Sequence, residues 1–421
     1  MNQKSKSVSW VGLSAGVLAI FLLQQVSFII TPAVQSLSEY YPDVPYSSIL
    51  MLQTAVYLMI IPFSFISGAI TGTKVSYRFM AITATILIGL GGLIPYFVHE
   101  NFTLVFASRF LCGIGEGLAF PLGSALIIDY FRGERRNFLQ GISMFVVCLS
   151  GVVYQNVSGI LCVSNVNNIW LLHICMIIPL IIIIIWLKEP ASLTAEQRIQ
   201  VAEKGGAAKA EMAEKTGEML PDNSGKPKYH WRASGINIAF GFLFIPLYGM
   251  LLNMSPLMAQ REIGDAATAG LVGSFYTIGG LVSGICFPFL YKALKRWLVP
   301  IMLGAGIIGN LVIWLGQNTA MMCIGELCIG LCAFLIWPAS MRDFDVMVNQ
   351  KGVLFYSGLW GALWNLGATL STYWISGFYK FIGAEDAGAC AGASLVFTIV
   401  VAVIWFIVRL RRPADLHPEY K

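Results

Sequence analysis

Apolar residues in this chain come in long runs separated by short polar connections. Runs long enough to cross a bilayer need about 20 residues. Twelve such stretches are found, near 10–34, 48–71, 79–98, 104–128, 138–161, 168–187, 234–257, 267–291, 298–316, 320–341, 353–377 and 389–408. The sixth contains Ile177-Ile-Pro-Leu-Ile-Ile-Ile-Ile-Ile-Trp186, for which lipid is the only plausible solvent. The first follows Lys4 and Lys6, is too long for a signal core and has no cleavage site, so it reads as a retained span. Pro62, Pro121, Pro179, Pro246, Pro288 and Pro338 are expected to bend their helices. One connection is long, about 46 residues between the sixth and seventh stretches.

Composition agrees. Of 421 residues, 57% are hydrophobic and 12% charged, against about 45–50% and 25% in soluble domains. The 42 glycines suit helices that must approach closely in lipid. The expected fold class is an all-α membrane protein. Its nine cysteines form no Cys-x-x-Cys pair and imply no disulfide framework.

Charge orients the spans. With the N-terminus inside, 24 of the 27 lysines and arginines fall in inside segments. Arg261 and Lys380 fall outside, and Arg109 stays in the membrane. This asymmetry places both termini in the cytoplasm. It also accounts for the net charge of +5 without nucleic acid. Of the 22 acids only Glu116 and Glu326 are left within spans, and His173 is a further titratable residue there.

The two groups of six stretches resemble each other at a shift of about 217 residues. Arg109-Phe-Leu-Cys-Gly113 lies on Glu326-Leu-Cys-Ile-Gly330, Phe120-Pro121 on Trp337-Pro338, and Gly141 on Gly358. Six is even, so both groups start from the same side and the repeat is parallel. The expected division is residues 1–187, a cytoplasmic linker 188–233, and residues 234–421. A substrate site is expected at mid-membrane between the halves.

With this pattern the chain resembles the major facilitator superfamily over nearly its whole length. The resemblance implies twelve transmembrane helices in two parallel-related six-helix bundles. Gly68-Ala-Ile-Thr-Gly-Thr-Lys-Val-Ser-Tyr-Arg78 stands where that family carries a basic signature with one acid. Here the acidic position is Gly72, so the usual carboxylate contact is not supplied. Asp343, Asp345 and Arg342 are candidates to replace it. Arg109-x-x-x-Gly113-x-x-Glu116-Gly117-x-x-x-Pro121, with Asp129-Tyr-Phe and Glu134-Arg135, is similar to the signature of the anion:cation symporter branch. That resemblance implies organic-anion recognition by Arg109 and proton coupling by Glu116. The Gly-x-x-x-Gly-Pro pattern of drug/proton antiporters is missing after Gly151.

Arg109 and Glu116 are seven residues apart, so they share a helix face about 10 Å apart along the axis. Each is costly at mid-membrane, about 2.5–3.5 kcal/mol on insertion scales. The repeat places Glu326 at the depth of Arg109 on the opposing helix, so the two are expected to pair when the outer side closes. Arg109 held by span-end carbonyls is the structural alternative. Glu116, and by symmetry Glu326, are candidate proton-coupling residues, since desolvation favours the neutral acid. A buried acid bonded between helices is the structural reading of Glu116. Gln24, Gln25, Gln155 and Asn156 could bind substrate or tie helices together. Tyr57, Tyr248, Tyr276, Trp337, Trp360, Trp364 and Tyr373 could line a partly aromatic cavity or face lipid. His173 is expected to be structural.

These features favour a proton-coupled secondary transporter of a small organic anion, working as a monomer in the cytoplasmic membrane. An exporter of apolar or cationic compounds is the alternative. No Walker loop, nucleophile elbow or metal-spaced His/Cys cluster is present, so neither enzyme nor ATP-driven pump is expected, and no cofactor or metal.

Overall fold

The computed structural model describes residues 10–72, 74–131, 133–189, 228–383, 386–408 and 410. Most of the linker 188–233 and both chain ends therefore lie outside the described residues. The helices are α1 (Trp10–Phe21), α2 (Val34–Tyr40), α3 (Tyr46–Ile70), α4 (Tyr77–Val98), α5 (Phe102–Ala119), α6 (Leu122–Tyr130) and α7 (Gly133–Ser164). They continue as α8 (Ile177–Trp186), α9 (Trp231–Gln260), α10 (Ala266–Leu294), α11 (Leu298–Leu315), α12 (Thr319–Met347), α13 (Gln350–Ile382) and α14 (Ala387–Val408). Short 3₁₀ segments cover Val26–Ile29, Thr31–Ala33, Val166–Met176 and Lys295–Trp297. Among the described residues there is no strand.

Each of the twelve predicted stretches is mainly helical, the first and fourth with a break. Nine helical stretches among the described residues are long and apolar enough to cross a membrane, or ten with the bent first span. Two differences from the sequence reading have clear causes. Ala266–Leu315 is one continuous apolar stretch that holds both α10 and α11. α13, although 33 residues long, is diluted by Gly, Ser, Thr, Asn, Tyr and Trp.

The end of the bundle carrying residues 99–101, 261–265, 316–318 and 386 is the one predicted extracellular, and is called the outer end below. There α7 packs against α10 and α3 against α13. A Cβ on Gly159 would lie 2.5 Å from the Ala266 carbonyl oxygen, and one on Gly270 2.4 Å from that of Gln155. Only glycine permits so close a crossing. At the other end the same two helices line an apolar cleft of about 320 Å³ formed by Phe138, Ile142, Phe145, Leu281 and Ile285.

The first span is broken rather than continuous. Turns at residues 22–25 separate α1 from the 3₁₀ segments, and the two parts meet at 53°. A broken helix in lipid needs partners for its freed carbonyls. Tyr154 donates to Leu22 O at 2.9 Å, Ser158 donates to Ile29 O, and Ser255 donates to Pro32 O at 3.0 Å. Span four is interrupted as well, at Pro121 between α5 and α6. By contrast, Pro62, Pro246, Pro288 and Pro338 sit inside helices that continue through them. Pro179 falls in the first turn of α8, where a missing N–H costs least.

Candidate functional site

Span one's break delivers Ser27 to the middle of the molecule, where its hydroxyl donates to Glu116 Oε1 at 2.6 Å. Glu116 is 2% exposed, with Cys112 Sγ 3.9 Å from the same oxygen and Oε2 free of any hydrogen-bond partner in the protein. α5 presents Arg109, Cys112 and Glu116 one and two turns apart on one face, as their spacing requires.

Arg109 is fully buried, and its orientation departs from expectation. Its Nε donates to Leu52 O of α3 at 3.1 Å, and the guanidinium lies 5.6 Å from the centroid of the Trp170 ring. Its two terminal nitrogens have no hydrogen-bond partner in the protein. Glu326 is fully buried on α12, with neither oxygen hydrogen-bonded. The predicted Arg109–Glu326 contact is therefore not made. Arg109 turns to the carbonyl and indole nearest it, and a shared depth on two helices does not make them face each other.

The amides divide. Gln24, half-buried at the break, donates to Phe120 O at 3.4 Å, and Gln25 immediately precedes the first 3₁₀ turn. Gln155 and Asn156 each donate back to their own helix, to Gly151 O at 3.3 Å and Val152 O at 2.8 Å. Gln155 is wholly buried at the α7–α10 crossing.

The aromatics divide too. Tyr248, Tyr276 and Trp360 are buried, while Trp337 and Trp364 are half-buried. They form one connected cluster between α9, α10, α12 and α13. Phe240 stacks on Trp360 at 3.8 Å, Phe244 lies 4.2 Å from Trp364, and Trp337 lies 6.1 Å from Trp364. Phe28 joins the cluster to the broken span, at 6.2 Å from Tyr248 and 6.3 Å from Tyr276. Tyr373 stands apart, 54% exposed.

A second set of polar groups joins two of the sequence candidates, Tyr57 and Tyr248, to residues that were not among them. Thr31 donates to Gln53 Oε1 at 3.1 Å, while Gln53 Nε2 donates to Thr31 Oγ1 at 3.0 Å and to Tyr248 OH at 2.7 Å. The hydroxyls of Tyr248 and Tyr57 are 2.7 Å apart. Thr54 and Thr372 hydroxyls meet at 2.6 Å, and the Gln35 N–H donates to Ser255 Oγ at 3.4 Å. Gln53 could have been found by the rule that singled out Gln24, an amide inside an apolar span. The hydroxyl residues carry no such signal.

At the opposite end, Gly72 takes a φ of +78° with the Tyr77 ring against it. That backbone favours glycine where the family signature has an acid. Tyr77 OH donates to Asp129 at 2.9 Å, and Glu189 accepts the N–H groups of Tyr77 and Arg78 at the start of α4. Arg342 lies over Tyr291 at 5.0 Å, a contact between α12 and α10. His173 is buried with Nδ1 3.1 Å from Trp170 O and Nε2 without a hydrogen-bond partner in the protein. All nine cysteines are free thiols.

Solved structures of similar fold include a D-xylose–proton symporter, with a TM-score of 0.69 at 13% identity, 94% of this chain and 97% of that one being covered. A bacterial homologue of the human lysosomal transporter Spinster, inward-facing and unoccupied, gives 0.67 at 14% identity, with 98% of each chain covered. A peptide transporter (POT) gives 0.67 at 13% identity, with 96% of each covered. Identities this low establish the fold alone. No curated protein matches the sequence. The family model described as Major Facilitator Superfamily matches residues 16–342, so this chain, with its helical membrane fold, belongs to the Major Facilitator Superfamily of transporters.

Proposed function

We propose that the protein is a secondary active transporter that carries a small organic anion together with protons. Transport proceeds by alternating access between two six-helix halves, residues 1–187 and 234–421. Both termini are cytoplasmic, and the working unit is a single chain in the cell membrane. The observation that carries this reading is the pair on α5. Glu116 is a buried carboxyl with only one oxygen committed, beside an equally buried Arg109 with two uncommitted nitrogens.

A guanidinium offers a forked donor set that suits carboxylates. A carboxyl in a desolvated site can alternate between charge states at modest cost. Glu326, equally buried in the second half, is a second proton site by the same argument. The tight crossing of α7 and α10 at the outer end, with an apolar cleft between them at the other, suits a carrier closed to the outside.

A thermal-shift screen of purified protein tests the substrate class. Small organic anions are expected to protect the wild type but not Arg109→Ala. The aromatic cluster around Trp364 favours a second reading, export of apolar or cationic compounds. Protection by cations, with no anion effective, would replace the first reading by the second.

A further inference from the structure

Two antiparallel seams join the halves, α7 against α10 and α3 against α13. Both are closed at the outer end. Gly159 meets the backbone of Ala266, and Gly270 that of Gln155. On the second seam the Tyr46 and Tyr379 rings are 5.5 Å apart and the Thr54 and Thr372 hydroxyls 2.6 Å apart. These contacts fix the register of each seam. Counting 18 residues, about five turns, from Gly159 and from Ala266 toward the inner end reaches Gly141 and Gly284. Counting 14 residues, nearly four turns, from Thr54 and from Thr372 reaches Gly68 and Gly358. Each seam therefore carries glycine opposite glycine at its inner end.

All four of these glycines are exposed. A Cβ on Gly141, Gly68 or Gly358 would meet nothing within 4 Å, and one on Gly284 only Met144 Cγ at 3.9 Å. Gly141 and Gly284 line the same apolar cleft. No neighbour in this conformation demands glycine at any of the four, although glycine weakens a helix relative to alanine. We infer that Gly141–Gly284 and Gly68–Gly358 are the contacts that seal the inner end when the outer end opens. Each is a close crossing of the kind that Gly159 and Gly270 already make outside. The seal rests on the alternating-access reading given above.

The internal repeat supports the pairing. Gly141 lies on Gly358 at a shift of 217 residues and Gly68 on Gly284 at 216, so the relation between the halves turns one pair into the other. Open space alone does not select these positions. Gly304 on α11 is also unopposed, but α11 packs chiefly against α12 and α14 of its own half. The cleft walls carry Phe138, Phe145 and Ile285, all exposed, so bringing them together strands no polar group. In lipid such a contact is held by close packing, which small residues permit.

Amide hydrogen exchange in the outer turns of α7 (155–162) and α10 (266–273), measured in lipid nanodiscs, is the test. An oxidised Thr54→Cys/Thr372→Cys pair pins the outer end shut and gives the closed reference. The wild type is expected to exchange faster than this reference. Gly141→Trp, Gly284→Trp, Gly68→Trp and Gly358→Trp fit the open inner end but obstruct its closure, so each should slow outer exchange about fivefold or more, toward the reference. Gly304→Trp should exchange like the wild type. If the Trp variants of either pair exchange like the wild type, or Gly304→Trp slows exchange as much as they do, the paired seal is wrong and alternating access stands. If the wild type exchanges no faster than the pinned protein, alternating access fails and the seal with it.

Discussion

Ser27 and Glu116, 89 positions apart in sequence, are joined by a 2.6 Å hydrogen bond between a broken span and an intact one. The bond exists because residues 22–25 leave the helix and turn Ser27 toward α5. Ser27→Ala leaves Glu116 buried with only the weak Cys112 donor. Leaving a buried acceptor without its donor costs about 1–3 kcal/mol. The expected result is a lower melting temperature, which melting curves of the purified wild type and variant would show.

The α7–α10 crossing makes a sharper demand. Gly270→Leu places side-chain atoms where the Gln155 carbonyl stands, 2.4 Å from the new Cβ. Overpacking costs about 1–3 kcal/mol where neighbours can shift. Here the neighbour is backbone, so the upper end of that range or loss of folded protein is expected. Gly377→Leu, whose Cβ meets nothing within 4 Å, serves as the control and should be tolerated.

Thr54 and Thr372 can be treated as a pair. Their hydroxyls meet at 2.6 Å, buried between α3 and α13. Either single change to Val leaves the other hydroxyl without this partner and should cost about 1–3 kcal/mol. The double change removes both and should cost no more than one single. A double-mutant cycle on thermal stability measures the coupling.

Acid sensitivity also has an outer-loop component. Asp265 caps α10, accepting the N–H and hydroxyl of Thr268, both at 2.9 Å, and these bonds hold its carboxyl below the ordinary carboxylate range. Asp386 is lowered too, by the Ala389 N–H and then by Gln260. With folded values below unfolded ones, the stabilisation is present above about pH 4, the ordinary Asp value, and fades as pH falls through the lowered ones. Asp265→Ala should cost about 1 kcal/mol at neutral pH, the usual worth of such a cap. Part of the melting-temperature drop below pH 4 should disappear with it.

How much of this was legible follows from what lipid demands. Long apolar runs must be helices, and three charges with no loop to sit in must be buried, so the spans and Arg109, Glu116 and Glu326 could be read directly. The break in span one could not. Leu22-Leu-Gln-Gln-Val-Ser27 holds no proline or glycine, and the carbonyls freed in and after it are satisfied by Tyr154, Ser158 and Ser255 from distant helices. Nor could the direction of Arg109. Helical spacing gives a face, but whether that face meets Trp170 or Glu326 depends on packing. The same limit separates exposed Tyr373 from buried Tyr276, which are alike as residues in an apolar run.

The central claim is that Glu116 carries the proton that drives transport. Its most direct test is uptake into proteoliposomes by Glu116→Gln, using an anion that protects the wild type from heat. The account predicts that accumulation driven by a pH gradient collapses, while exchange of labelled for unlabelled substrate at equal pH persists. Accumulation that follows the pH gradient as well in Glu116→Gln as in the wild type would contradict it.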